Sequence, residues 1–205
     1  MGITHQLFST PVHETEYPNF DIEKDNIINL VKTCLAEGIK TQSLSFNRRD
    51  DSRMSITKDI HLQNDIRFAD IVKVLEDISF EYWLACDYDR DIRPKITHMW
   101  GVLNEPGGFT PPHAHSPTIM TGCLYLNATS ESGDFQIDHP MKELLGYMPF
   151  DRIKYPPPFH FSKTFTVAPG KIVMFPGWAS HYAKVNNTNE SRYALAYNVG
   201  MLGVI

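Results

Sequence analysis

Apolar positions are spaced in two different ways along the chain. Up to about residue 93 they recur every three or four residues, and from Pro94 onward they sit in short runs broken by Pro, Gly, Asn and Ser. Such a change predicts helices first and strands after. Between Asp21 and Glu37 the residues Ile27, Leu30, Val31, Cys34 and Leu35 share one helical face, with Asp21 placed to cap the start and Gly38 to stop the run. A second helix is predicted from about Asn64 to Ala85, where Ile66, Ala69, Val72, Leu75, Ile78 and Tyr82 form an apolar stripe suited to packing. The polar stretch Ser45 to Lys58, with Arg48, Arg49 and Arg53, reads as a solvated loop. No aromatic residues alternate with its arginines as a nucleic-acid surface would require.

The strand-like runs are Lys95–Asn104, Ile119–Asn127, Asp134–Asp138, His160–Ala168, Lys171–Phe175, His181–Val185 and Arg192–Val199. This many short strands in succession predict a closed or double-sheet architecture: mainly β with flanking α-helices, a jelly roll or double-stranded β-helix. We expect one domain over 1–205, with a helical supporting region in 1–93 and the jelly-roll core in 94–200. Asp138 to Pro158 is a long connection with Met141, Leu144, Leu145, Tyr147, Phe150 and three consecutive prolines. Long connections in compact domains often serve as lids, and Tyr147 to Phe161 could cover a site or pack as a surface loop.

Composition narrows the setting. With 42% hydrophobic and 21% charged residues among 205, the chain is long enough to bury a core, and its net charge of -5 gives no overall attraction to nucleic acid or acidic membranes. Three widely separated cysteines, Cys34, Cys86 and Cys123, fit neither a disulfide framework nor a closed cysteine zinc site. With no signal-like segment and no long apolar span, the expected location is cytoplasmic.

The chemistry concentrates in histidines of the second half. His113 and His115 in PPHAHSP are two residues apart, so in an extended segment both side chains project to the same side. Imidazole pairs of this kind suit Fe, Zn, Cu or Ni, although an isolated H-x-H is also compatible with histidines that serve no metal. His181 follows the apolar run KIVMFP and the loop GWAS, a position from which a side chain reaches inward between sheets. Arg192 opens the otherwise apolar strand RYALAYN. Burying it would be costly unless its planar fork of donors meets an anion or an acidic side chain.

In this order the motifs resemble those of the double-stranded β-helix oxygenases that use 2-oxoglutarate and Fe(II), and in particular a subgroup with an H-x-H motif. The resemblance rests on Trp100-Gly-Val-Leu-Asn104, Pro111-Pro-His113-Ala-His115, Thr121-Gly-Cys-Leu-Tyr125-Leu-Asn127, Gly133 to Pro140, Pro169 to His181 and Arg192 to Asn198. It implies that His113 and His181 are iron ligands and that Arg192 holds the distal carboxylate of 2-oxoglutarate. Tyr125 would donate to the same carboxylate, and Asn104 and Trp100 would line its pocket. The sequence departs from the commonest pattern at His115, which stands where a carboxylate is usual, so the third ligand is His115 or a carboxylate elsewhere, with Asp138 the candidate.

The resemblance further implies that 2-oxoglutarate and O₂ are consumed to hydroxylate a C–H bond of a peptide, protein or small molecule, the primary substrate not being readable from the chain. Two other readings remain open from sequence. One is a cupin-like three-histidine metalloenzyme that does not use 2-oxoglutarate. The other is a metal-stabilised binding module without turnover.

Overall fold

The computed structural model describes residues 3, 9–37, 52–115, 117–145 and 161–201. In chain order these form β1 (His13–Glu16), α1 (Phe20–Ala36), β2 (Met54–Ile56), α2 (Ala69–Ala85), β3 (Lys95–Asn104), β4 (Thr110–His113) and β5 (Met120–Tyr125). There follow β6 (Phe135–Asp138), a short α3 (Lys142–Leu145), β7 (Ser162–Phe165), β8 (Lys171–Pro176), β9 (His181–Ala183) and β10 (Arg192–Gly200). The strands make two antiparallel sheets, one of six strands in the order β1-β8-β5-β10-β3-β2 and one of four in the order β4-β9-β6-β7. This is the expected mainly β architecture with flanking helices, a double-stranded β-helix.

Period-two alternation divides the large sheet into two surfaces. One side carries Ile96, Met99, Met120, Leu124, Ile172, Met174, Leu195, Tyr197 and Val199, which pack in one apolar cluster with Ile27, Val31, Leu75, Ile78 and Tyr82 of α1 and α2. These helices thus lie where an amphipathic stripe must be buried. Gly122 belongs to this packing, because a Cβ there would run into the Tyr197 ring. The other side carries Tyr125, Val173, Phe175 and Ala194, which meet Phe135, Ile137 and Phe165 of the small sheet in a second cluster. The candidate site residues lie between the sheets, on this second side.

Several boundaries differ from those predicted. Helix α1 is capped by Asn19, in the left-handed conformation, and Asp21 instead sits in the first turn, where its charge meets the positive end of the helix. The second helix does not start at Asn64. Asp65 is extended and accepts a hydrogen bond from the Arg67 backbone N–H, so two 3₁₀ turns, Leu62–Asn64 and Ile66–Phe68, precede α2. Three strands were not foreseen: β1, β2 and β4. Two of them come from the first 93 residues, so this region supplies sheet edges as well as helices. Part of the arginine-rich stretch read as loop is β2, with Met54 opposite Asn104 and Ile56 opposite Val102. Gly38, Arg48, Arg49 and the segment from Tyr147 to His160 lie outside the described residues. No helix among the described residues is long and apolar enough to cross a membrane.

Candidate metal centre

Strand pairing in the small sheet brings the first two histidines together. His113 ends β4 and His181 opens β9, and the two are directly opposed in the antiparallel register. The chain leaves β4 after His113, but the His115 backbone N–H donates to the Gly177 carbonyl at 2.8 Å, which holds this segment against the turn before β9. The three rings converge with centroids 4.2 Å apart for His113 and His181 and 4.9 Å for each of the other two pairs. Their ligating nitrogens lie within 4.8 Å of one another, and this is the one such group of three among the described residues.

Hydrogen bonds decide which nitrogen of each ring is available. His113 Nδ1 faces the Pro111 carbonyl at 2.8 Å and His181 Nδ1 faces the Ala179 carbonyl at 2.9 Å. A carbonyl only accepts, so each Nδ1 carries the proton and Nε2 keeps its lone pair. His115 Nδ1 lies 2.7 Å from Asn198 Oδ1 and 3.0 Å from Thr121 Oγ1. Thr121 already donates its hydroxyl hydrogen to the Tyr197 carbonyl, so toward His115 it accepts. All three rings therefore present a neutral imidazole with Nε2 as the free donor, the orientation that backbone and side-chain acceptors impose on metal-ligating histidines. Burial also lowers all three basicities, that of His115 to about 4. The rings thus stay unprotonated at neutral pH.

Asp138, the candidate carboxylate, is engaged elsewhere. It pairs with Lys142 at 3.0 Å and accepts from Ser180 Oγ at 3.4 Å, outside the histidine group.

One cavity of about 520 Å³ joins the histidines to the other predicted residues, being lined by His113, His115, His181, Trp100, Asn104, Tyr125 and Arg192 among others. Parity explains this grouping. Arg192, Ala194, Ala196 and Asn198 of β10 face it with Asn104, Val102, Trp100 and His98 of β3 as their opposite numbers, and with Tyr125, Cys123 and Thr121 of β5 opposite Ala194, Ala196 and Asn198. Trp100 packs on His115 with centroids 5.5 Å apart, so it stands at the histidine end. Asn104 stands at the arginine end.

Arg192 is 2% exposed, and no carboxylate among the described residues pairs with it. Its Nη1 donates to the Ser132 and Gly133 carbonyls and its Nη2 to Asn104 Oδ1 at 2.7 Å. Gly133 adopts a left-handed φ of 91° in the loop that supplies two of these acceptors. Three neutral acceptors fix the fork while leaving its charge uncompensated, and burial lowers its pKa. A buried guanidinium held in this way suits an anion arriving from the cavity. Beside it Tyr125 is 3% exposed, its phenol kept protonated by burial, and burial pushes the neighbouring Cys123 thiol up to about 12.

Sequence reasoning left Asn198, Thr121 and Cys123 without a role. Asn198 lies six residues after Arg192 and so on the same strand face. That spacing was the available signal.

Residues 98–198 match a family whose model is described as "Putative 2OG-Fe(II) oxygenase", a family of 2-oxoglutarate- and Fe(II)-dependent oxygenases. Solved structures share the fold at low identity. The epimerase SnoN of nogalamycin biosynthesis, described as non-heme and alpha-ketoglutarate-dependent, is 15% identical with a TM-score of 0.67, over 93% of this chain and 76% of that one. A Pseudomonas putida prolyl-4-hydroxylase is 11% identical with a TM-score of 0.61, over 93% and 92% of the two chains. HygX from Streptomyces hygroscopicus, solved with nickel and 2-oxoglutarate bound, is 12% identical with a TM-score of 0.60, over 95% and 84%. No curated protein matches the sequence.

Proposed function

We propose that the protein is a 2-oxoglutarate- and O₂-dependent Fe(II) oxygenase that hydroxylates a C–H bond of its primary substrate. The observation that carries this reading is that one cavity holds both three neutral imidazoles, that of His181 buried and those of His113 and His115 half-buried, and a buried arginine with no acidic partner among the described residues. The residues fit the metal and the co-substrate. Nε2 of His113, His115 and His181 would hold Fe(II) on one side, the ligating atoms of the three rings already lying within 4.8 Å of one another. Arg192 would bind the distal carboxylate of 2-oxoglutarate, with Tyr125 donating its phenol hydrogen to the same group and Asn104 holding the guanidinium in place.

Bound there, Fe(II) with 2-oxoglutarate and O₂ supplies the oxidising power to attack a C–H bond, with succinate and CO₂ as the products of the co-substrate. The chain's own residues orient and enclose. Pro111, Ala179, Asn198 and Thr121 fix the three rings, and Phe135 and Phe175, with centroids 5.7 and 4.5 Å from the His181 ring, keep water from that flank of the site. Three neutral imidazoles do not reduce the charge of Fe(II), so the two negative charges of 2-oxoglutarate meet an undiminished cation and one arginine. This strengthens the case for a dianionic co-substrate in a site without a carboxylate ligand.

The resemblance to a prolyl-4-hydroxylase over nearly all of that chain supports hydroxylation, while SnoN carries the name epimerase on the same fold. A cupin-like metalloenzyme or a binding module without turnover would leave Arg192 buried with no counter-charge among the described residues. The test is O₂-dependent succinate formation from 2-oxoglutarate by purified, iron-loaded protein. We expect succinate in proportion to O₂ consumed, and its loss in Arg192→Ala. Iron-loaded protein that neither binds 2-oxoglutarate nor forms succinate would overturn the reading.

A further inference from the structure

We infer that the primary substrate enters the cavity through an uncharged apolar group, alkyl or aryl, which lies on a shelf made by Met54, Ile56, Ile60, Trp100 and Val102. The inference rests on the oxygenase reading for where the reacting end of the substrate sits.

The shelf is an extension of the cavity floor. In the register of β2 with β3, Met54 lies opposite Asn104 and Ile56 opposite Val102, so both side chains join the cavity row while Ser55, opposite Leu103, faces away. Ile60 follows from the next turn, and all five residues line the same cavity as the three histidines. None of the five is fully buried. Apolar side chains on the inner side of a sheet normally vanish into a core, as Met99 and Leu195 do on the opposite side of the same sheet, where both are 0% exposed. Here they remain in contact with open space, the usual mark of a surface kept for a ligand.

Charge points the same way. Among the described residues of the lining, Arg192, at the end already given to the co-substrate, is the one formally charged side chain, and none is a carboxylate or a lysine. A substrate ammonium or carboxylate drawn onto the shelf would lose its hydration with no partner in return, a cost that an uncharged group escapes. The polar group at the edge of the shelf is His98, whose ring lies 4.9 Å from that of His61. Burial of His98 keeps it largely neutral, so it offers a hydrogen bond without a charge. Trp100 links the shelf to the histidines: it is part of the shelf, and its ring is 5.5 Å from His115. A group lying on the shelf therefore places its carbon atoms beside the proposed metal.

The probe is 6-propionyl-2-dimethylaminonaphthalene, an uncharged naphthalene whose emission moves to the blue in apolar surroundings, titrated into nickel-loaded protein with 2-oxoglutarate. We expect saturable one-site binding, weakened at least about fivefold by Ile56→Ser and unaltered by Ser55→Ala. Naphthalene-2-carboxylate and 2-naphthylmethylammonium should displace the probe at least about tenfold less well than uncharged 2-methylnaphthalene. Met54→Ser serves as the second variant if Ile56→Ser does not fold. Absence of saturable binding, equal binding by the folded variant, or displacement by a charged naphthalene as effective as by the uncharged one would each overturn the inference. Calorimetric 2-oxoglutarate binding on the same sample separates the two readings: with it intact and the shelf silent, only the substrate class fails, and with it absent the oxygenase reading fails instead.

Discussion

On β10 the residues that face the helices, Leu195, Tyr197 and Val199, are large and at most 1% exposed, whereas their neighbours facing the cavity, Ala194 and Ala196, are small. The two sides of one strand follow opposite rules. Toward the helices, volume fills the space and no polar group is needed. Toward the cavity, alanines leave room, and the polar residues at the two ends of the row, Arg192 and Asn198, are each tied to a specific partner. A strand can thus hold a stable core on one side and an open cavity on the other without either compromising the other, because alternation separates them.

The comparison breaks most completely at the histidines. His113→Ala or His181→Ala should abolish stoichiometric Fe(II) binding, read by calorimetry, while the melting temperature of the metal-free protein changes little, since neither ring fills the helix-side core. Next in size is Arg192→Ala, for which we expect at least about a hundredfold loss of 2-oxoglutarate affinity. Arg192→Lys keeps the charge but not the fork, and it should recover only part of the loss. If both variants bind 2-oxoglutarate as the wild type does, the anion lies elsewhere.

Much of this arrangement was legible in the sequence, and the parts that were not share a physical reason. The long strands β3, β5, β8 and β10 announce themselves because they are central and carry apolar residues. The edges do not. β1 reads His-Glu-Thr-Glu, its exposed side polar, and β2 has three residues inside an arginine-rich stretch. β4 carries two prolines, which argue against a strand, yet among the described residues it lies at the edge of its sheet and pairs only with β9, where missing N–H groups are tolerated. At the site, His113, His181 and Arg192 stood out because each interrupts an apolar run or sits in a marked motif. Asn198 and Thr121 did not, since their role exists only once β5, β10 and the segment after β4 are side by side.

That difference gives the third prediction. His115→Ala should weaken Fe(II) binding at least about tenfold, and Asn198→Ala, which leaves the ring but frees its Nδ1, should weaken it by about tenfold as well. Asn198→Asp, which keeps an acceptor at the same place, should restore most of the affinity. Unchanged affinity in His115→Ala would move the third ligand to another group.

The two sides of β10 can also be exchanged. Leu195→Ala opens the helix-side core and should cost about 2–5 kcal/mol of stability by denaturant titration while leaving metal stoichiometry at one. Ala196→Leu fills the chamber instead, and it should reduce succinate formation with a smaller change in stability. The smallest effect is expected at Asp138→Asn: its carboxylate is held by Lys142, so Fe(II) affinity should stay within about twofold of wild type, and a loss of tenfold would return Asp138 to the ligand set.

The central claim is that metal and co-substrate share one chamber, and it is tested most directly by titrating 2-oxoglutarate calorimetrically, without O₂, into the protein with and without one equivalent of Fe(II). The account predicts one molecule bound per chain, with affinity at least about tenfold higher when iron is present because two sets of residues then act on one ligand. Equal affinity with and without iron, or no binding in either state, would contradict it.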